Sequence, residues 1–373
     1  MRRMPAIAGL AAFALLLAGC SASAAETATD DDCPIAHIEL SELPIVDDVR
    51  AATGGSRACL GTNAIEPVAD DTAPKLPVTV TDSEGTEVTV TDVSRILPID
   101  MSGTIAATVF GLGLGENVVG RDISTNFAGT EDLPIVTKTS HTLNAEAILE
   151  LAPTVIVTDT SIGPKEVRQQ LRDAGIPVVM VSSERDAHTV GDLIDEVASA
   201  LGVPTRGAAL TERVNAEIDD TVAEIAAVAP EAVEDRARIL FLYVRGSANV
   251  YYIFGRGSGA DSLIEAVGGV DVASEIGWEG EKPMNAEALV AAQPDVILMM
   301  TDGLESVGGI DGLLERIPAL METPAGQHRR VIDMNDGQVL GFGPRTAEVI
   351  MAFAKALYAP TETAAPTTAP AGS

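Results

Sequence analysis

Residues 238–263 read RILFLYVRGSANVYYIFGRGSGADSL, and this segment carries the main features from which the fold is inferred. It begins with the apolar run 239–242, which is typical of a strand buried on both faces. Residues 248–254 predict a second strand, and a glycine-rich turn then opens a helix. The segment therefore predicts part of an α/β lobe built around a buried sheet.

Tyr243 and Arg245 lie two positions apart where the first strand ends. Side chains alternate along a strand, so both point to the same face. A neighbouring guanidinium favours the phenolate form of tyrosine, and a phenolate oxygen is a hard anionic ligand suited to ferric iron. The alternative interpretation is a structural tyrosine beside a surface arginine. Evidence from other parts of the chain is needed to distinguish this alternative from an iron ligand.

Two distant segments of the chain resemble each other. Residues 142–157 read TLNAEAILELAPTVIV, and residues 283–298 read PMNAEALVAAQPDVIL. In both copies the Asn is a natural helix N-cap, and the Glu (Glu146 or Glu287) lies in the first turn, where the helix dipole favours an anion. The repetition predicts two similar lobes that face each other with matching loops, with chance similarity of capped helices as the alternative.

The two copies differ just before the shared motif, where the first has His141 and the second has Lys282. His141 lies in a predicted loop at the edge of its lobe. If the lobes face each other, its imidazole can approach Tyr243 on the opposite lobe. A solvated or locally packed histidine is the alternative.

One long helix is predicted between the lobes. Apolar residues recur at the i, i+4 spacing of an amphipathic helix within residues 205–229, and they are Leu210, Val214, Ile218, Val222 and Ile225. We interpret this helix as a rigid connector, with a coiled-coil partner helix as the alternative. The prediction is an α/β protein with two Rossmann-like lobes, residues 75–204 and 231–358, joined by a helix over 205–230.

The chain start predicts export. Residues 1–19 are predicted to form a signal peptide, because Arg2 and Arg3 precede a short apolar run. Leu-Ala-Gly-Cys20 resembles the bacterial lipobox, whose cysteine is lipidated. Outside the cytoplasm, the remaining Cys33 and Cys59 predict a disulfide. Residues 20–74 are acidic and lack periodicity, which predicts a tether, and residues 359–373 predict a disordered tail.

Composition and motif content restrict the function. The chain has 55 acidic and 24 basic residues in 373 and a formal net charge of −31, which excludes nucleic acid as a partner and disfavours anionic membrane surfaces. Membrane attachment is therefore expected through lipid on Cys20. No hydrolase elbow, zinc-protease motif, Walker loop or paired-cysteine motif is present, which argues against an enzyme.

The hairpin pattern from residue 76, the two Asn-Ala-Glu loops and the single long helix make residues 76–358 resemble the substrate-binding proteins of ABC importers for iron-siderophores, cobalamin and haem. This family has the class III fold of two lobes joined by one helix. SHTLNAEAI and LYVRG further resemble motifs of the haem-binding lipoproteins among them.

The resemblance implies that haem b is held between the lobes by His141 and Tyr243 as axial ligands, with Arg245 hydrogen-bonded to the Tyr243 oxygen. It also implies that Glu146 and Glu287 dock onto the ABC permease, which works with an ATPase. Met284 is expected to pack in the haem pocket.

We therefore expect a monomeric lipoprotein on the outer face of the cytoplasmic membrane that delivers haem to the permease. A siderophore or cobalamin carrier of the same fold, or an envelope scaffold lipoprotein, are the alternatives.

Overall fold

A computed structural model describes residues 33, 35–69, 72–137 and 141–361. The predicted signal peptide, the lipidation site Cys20 and residues 362–373 of the predicted tail lie outside these residues. Within them, the strands in chain order are β1 Gly55–Ala58, β2 Val78–Thr81, β3 Glu87–Val90, β4 Ile96–Ile99, β5 Val155–Thr158, β6 Val178–Met180, β7 Arg238–Arg245, β8 Val250–Phe254, β9 Val270–Asp271, β10 Glu281–Pro283, β11 Val296–Met300 and β12 Val331–Met334.

The α-helices of the same described residues lie between and after these strands. They are α1 Thr104–Gly111, α2 Ala145–Glu150, α3 Lys165–Asp173, α4 Val190–Ala200, α5 Pro204–Ala226, α6 Ala260–Ala266, α7 Val272–Glu275, α8 Ala286–Ala292, α9 Thr301–Ser306, α10 Gly309–Arg316, α11 Pro324–His328 and α12 Thr346–Tyr358. None of the described helices is long and apolar enough to cross a membrane.

The N-terminal lobe is built on a parallel sheet of order β4-β5-β6, all of whose residues are buried. The predicted hairpin is present as the antiparallel pair β2–β3. Isolated β-bridges also join Val118 to Ile96 and Ile135 to Arg121.

The C-terminal lobe contains a sheet of order β1-β12-β11-β7-β8-β10, with β9 also paired to β7. Strands β1, β12, β11 and β7 run parallel, whereas β8 and β10 are antiparallel to their neighbours. The sequence prediction of an α/β fold with two lobes and one long helix is confirmed.

Helix α5 joins the lobes and packs against α12. Four residues of the predicted stripe, Leu210, Val214, Ile218 and Ile225, are buried. They belong to an apolar cluster that runs without interruption from Val157 of the N-terminal sheet to Phe241 of the C-terminal sheet. Such a shared core opposes large relative movement of the lobes, because separating them would expose apolar surface.

The segment predicted as a tether is instead folded over residues 35–69, which we call the strap. Its strand β1 pairs with β12 at the edge of the C-terminal sheet, and its residues Leu40 and Leu60 are fully buried. A disulfide links Cys33 to Cys59. Farther along, the carbonyl of Asn63 accepts the Ala128 N–H, and the Val68 N–H donates to Gly111 in the N-terminal lobe. The strap therefore contacts both lobes.

Candidate functional site

Tyr243 and Arg245 lie at the carboxyl end of β7, the edge at which parallel sheets place their ligand sites. The Tyr243 ring stacks on Phe254 with centroids 5.7 Å apart and an interplanar angle of 17°. Phe254 stacks in turn on Phe241, with centroids 5.0 Å apart. This column of rings fixes the orientation of the half-buried phenol.

Arg245 extends from the same face of β7 and lies beside the phenol. Its Cζ atom is 4.6 Å from the centroid of the Tyr243 ring, and Nη2 donates to Oδ2 of Asp336 over 2.6 Å. No hydrogen bond from Arg245 to the Tyr243 oxygen is present among the described residues, which differs from the expectation carried by the resemblance. The guanidinium instead stacks on the ring, while Nη1 donates to the Val244 carbonyl and Nη2 donates to Asp336.

His141 belongs to the loop that precedes α2 on the N-terminal lobe. Its φ angle of 56° lies in the left-handed region, which non-glycine residues seldom adopt and which is often found at functional sites. Its Nδ1 atom is buried and has no hydrogen-bond partner in the described part of the chain. Burial lowers the pKa of His141, and the positive charge of Arg245 lowers it further. His141 and Arg245 are therefore close enough to interact electrostatically across the lobes.

The two repeated loops form the predicted helix starts. Oδ1 of Asn144 accepts the Ala147 N–H at 3.4 Å, and Oδ1 of Asn285 accepts the Ala288 N–H at 2.8 Å. These caps fix where α2 and α8 begin. Glu146 and Glu287 lie in the first turns and are exposed on their respective lobes.

Met284 packs on the opposite side of the C-terminal sheet from Tyr243. It contacts the apolar cluster that contains Leu242 and Val244, whereas Tyr243 and Met300 pack against the cluster on the other face of β7. Side chains alternate along β7, so these clusters lie on opposite sides of the sheet. The packing of Met284 therefore does not support its prediction as a residue of the same pocket as Tyr243.

A buried charge network at the carboxyl edge of the N-terminal sheet was missed from the sequence. Nη2 of Arg185 lies 3.2 Å from Oδ2 of Asp100 and 2.5 Å from Oδ2 of Asp159. Burial and the charge of Asp100 raise the pKa of Asp122 to about 7, and the same two causes raise the pKa of Asp159. The signal was an Asp directly after each of two buried strands, in LPID and IVTD.

This network lies where the lobes meet. A Cβ added to Gly259, at the start of α6, would be 2.4 Å from the Arg185 carbonyl oxygen. Oγ of Ser262 in the same helix accepts the Ala187 N–H at 3.2 Å. Only glycine permits this close approach, since Gly259 also has a φ angle of 86°.

The described residues contain no group of three or more His, Cys, Asp or Glu side chains arranged to hold a bare metal ion. His141 on the N-terminal lobe and Tyr243 on the C-terminal lobe are the predicted iron donors, an imidazole and a phenol. These two donors would fill only two of the coordination positions of an iron ion, so the remaining ligands would have to come from a group other than these side chains.

Comparisons with known proteins agree with this architecture. The family model described as periplasmic binding protein matches residues 101–337. A crystal structure of the heme binding protein HmuT is 45% identical, with a TM-score of 0.79, and the match covers 83% of this chain and 99% of that chain. Structures of HmuT variants in which an arginine, a histidine or a tyrosine is replaced by alanine also match, with TM-scores of 0.81, 0.79 and 0.81.

More distant relatives carry other descriptions. An uncharacterized ABC transporter substrate-binding lipoprotein, YvrC of Bacillus subtilis, is 25% identical over 76% of this chain and 86% of its own length. A cobalamin-binding protein of Halobacterium salinarum is 26% identical over 77% of this chain and 76% of its own length.

Proposed function

The chain belongs to the periplasmic binding protein family, and from that premise we propose that it captures haem between its lobes and delivers it to an ABC transporter. Members of this family bind a ligand outside the cytoplasm and are not enzymes; they work with a permease and its ATPase. The identity of the ligand and its manner of binding are the parts that we propose.

The proposal is carried by the position of His141, which lies near enough to Arg245 of the other lobe for the guanidinium charge, after burial, to lower the pKa of the imidazole. This proximity joins a half-buried imidazole on one lobe to the phenol–guanidinium pair on the other. Four in-plane nitrogens of a porphyrin leave two axial positions on iron, which a neutral imidazole and a phenolate can fill. The unpartnered Nδ1 of His141 and the lowered pKa suit a residue that must stay neutral to bind metal.

The comparison with HmuT supports the same residues. Its alanine variants concern a tyrosine and an arginine whose positions differ by two, as those of Tyr243 and Arg245 do. A third variant concerns a histidine. These residue types match the donor set proposed here.

Arg245 is proposed to stabilise the phenolate of Tyr243 once the iron is bound. A charge-assisted hydrogen bond from the guanidinium offsets part of the cost of burying the anion. The guanidinium already lies 4.6 Å from the ring centroid, so a small side-chain rotation is enough to reach the phenol oxygen. The rotation would move only the Arg245 side chain, because the phenol oxygen is part of the same Tyr243 side chain that the guanidinium already contacts.

Delivery is proposed to use the two exposed carboxylates Glu146 and Glu287. Each lies in the first turn of a capped helix, and each is free of packing that would prevent docking on a cationic permease surface. Cys20 is the proposed site of lipidation, which would hold a monomer on the outer face of the cytoplasmic membrane.

Cobalamin is the second candidate ligand, because a cobalamin-binding protein is among the relatives. A corrinoid would use the cleft but would not require both His141 and Tyr243 as metal ligands. Direct titration with cyanocobalamin distinguishes this candidate from hemin.

The test is the absorption spectrum of the hemin-loaded protein beside those of His141→Ala and Tyr243→Ala. We expect the Soret and charge-transfer bands to change in both variants. His188→Ala and Tyr251→Phe are matched controls that should keep the wild-type spectrum. Wild-type spectra in both site variants, or binding of cyanocobalamin and not of hemin, would contradict the proposal.

A further inference from the structure

The guanidinium of Arg245 lies over the ends of β7, β11 and β12, which are neighbours in the sheet. Besides its 2.6 Å contact with Asp336, Nη2 approaches Sδ of Met300 at 3.9 Å. Nη1 donates to the carbonyl of Val244 at 3.0 Å. Three of the five N–H groups of the guanidinium thus have partners within the described part of the chain, which leaves two for other acceptors.

Asp336 is itself held by the backbone. Its Oδ1 atom accepts the N–H of Asp302 at 2.9 Å, at the start of α9, while Oδ2 accepts from Arg245. The Asp336 side chain is only 21% exposed. A carboxylate fixed in this way is a stationary anchor for a long and flexible arginine.

Helix α9 confines the guanidinium from another side. A Cβ added to Gly303 would be 3.4 Å from Nη1 of Arg245 and 2.8 Å from the Val244 carbonyl oxygen. The guanidinium therefore occupies a slot between α9 and the Tyr243 ring. Only glycine at position 303 leaves this slot open without displacing the end of β7.

From these contacts we infer that Asp336 is a positioning residue for the Tyr243 ligand. It keeps the guanidinium of Arg245 within reach of the phenol oxygen and thereby sets how firmly Tyr243 holds the bound ligand. Without the anchor, the charged end of a 32% exposed arginine would turn to solvent, where water replaces its partners. This inference rests on the proposed function, because it assigns Asp336 a role in haem binding.

The first test measures hemin dissociation into an excess of a haem-scavenging apo-globin. We expect Arg245→Ala to raise the rate about tenfold, the usual effect of losing one charge-assisted hydrogen bond. Asp336→Asn should raise it about threefold or more, and the double variant should not exceed Arg245→Ala, because both changes remove the same interaction. Asp336→Glu should restore most of the wild-type rate, and the matched control Asp302→Asn should stay within about twofold of it.

The second test needs no hemin. In the ¹H–¹⁵N spectrum, the Nε–Hε signal of Arg245, assigned by its loss in Arg245→Lys, should be resolved in the wild type. In Asp336→Asn the chemical shift of this signal should change to that of solvent-exposed arginines. In Asp302→Asn the chemical shift should stay at its wild-type value. An Arg245 signal that does not move in Asp336→Asn, or a double variant whose rate effects multiply in full, would overturn the inference. If hemin fails to bind the wild type, the proposed function fails, while this signal still reports whether Asp336 anchors the guanidinium.

Discussion

The positive charge of Arg245, on the C-terminal lobe, helps to lower the pKa of His141 on the N-terminal lobe. Burial is the larger cause, and it acts in the same direction. The two effects keep the imidazole neutral in the range in which a free histidine begins to gain a proton. The residue that stacks on Tyr243 therefore also helps to keep His141 neutral, as the proposed role of its imidazole as an iron ligand requires.

Arg245→Ala should raise the pKa of His141, because it removes a cation that opposes the imidazolium. The rise should be partial, since burial still disfavours the charged form. An NMR titration of the His141 ring C–H signals in the hemin-free protein measures it. Arg256→Ala removes an exposed arginine of the same lobe as a control, and an equal shift in that variant would show that net charge, and not position, is responsible.

Replacing both Glu146 and Glu287 by Ala should leave hemin binding unchanged and reduce uptake through the permease. The carboxylates are exposed in the first turns of α2 and α8, so their loss removes two docking charges without disturbing the core. Hemin titration and growth on hemin as sole iron source measure the two effects. Replacing the exposed Glu150 and Glu279 is the matched control, and normal uptake by the first double variant would contradict the docking role.

The sequence predicted the elements that have strong local patterns. The apolar run at 239–242 and the stripe from Leu210 to Ile225 have the periods of a buried strand and a packed helix, and both are found where expected. The shared Asn-Ala-Glu motif predicted the caps of α2 and α8 because N-capping is a local interaction.

Features that depend on contacts between residues far apart in the chain could not be predicted from local sequence patterns. The strap looked like a tether because β1 is an edge strand of four residues whose partner, β12, is more than 270 positions away. The pairing of Arg245 with Asp336 also joins residues 91 positions apart, and nothing local indicates it. The left-handed backbone at His141 is likewise set by its surroundings and not by its residue type.

Replacing Cys33 and Cys59 together by Ser should lower the free energy of unfolding by about 3 kcal/mol, the loop-closure effect for a separation of 26 residues. The effect is expected because the disulfide ties Cys33, just before the strap, to Cys59 within it. Urea unfolding followed through the single tryptophan, Trp278, measures it. Dithiothreitol should destabilise the wild type to the same degree and leave the variant unchanged. An unaltered wild type under reducing conditions would mean that the strap contributes no stability.

The stability of the protein should fall as pH rises from about 4 to about 7, and Asp122 should account for part of the fall. Folded Asp122 keeps its proton up to a pKa of about 7, whereas an unfolded aspartate releases it near pH 4. Between these values the folded state binds more protons, so raising the pH favours unfolding; above about pH 7 the contribution is constant. Asp159, whose pKa is also raised by burial, contributes with the same sign.

Asp122→Asn should therefore make the dependence of unfolding free energy on pH less steep without abolishing it. Its overall stability should also drop, because both carboxylate oxygens accept backbone N–H groups, from Asp100 and Thr125, and an amide retains only one acceptor oxygen. The slope between pH 4.5 and 7.5, and not the absolute value, is thus the informative quantity. Asp132→Asn, at an exposed position, should keep the wild-type slope. Equal slopes in Asp122→Asn and the wild type would mean that another member of the network with Arg185 carries the proton.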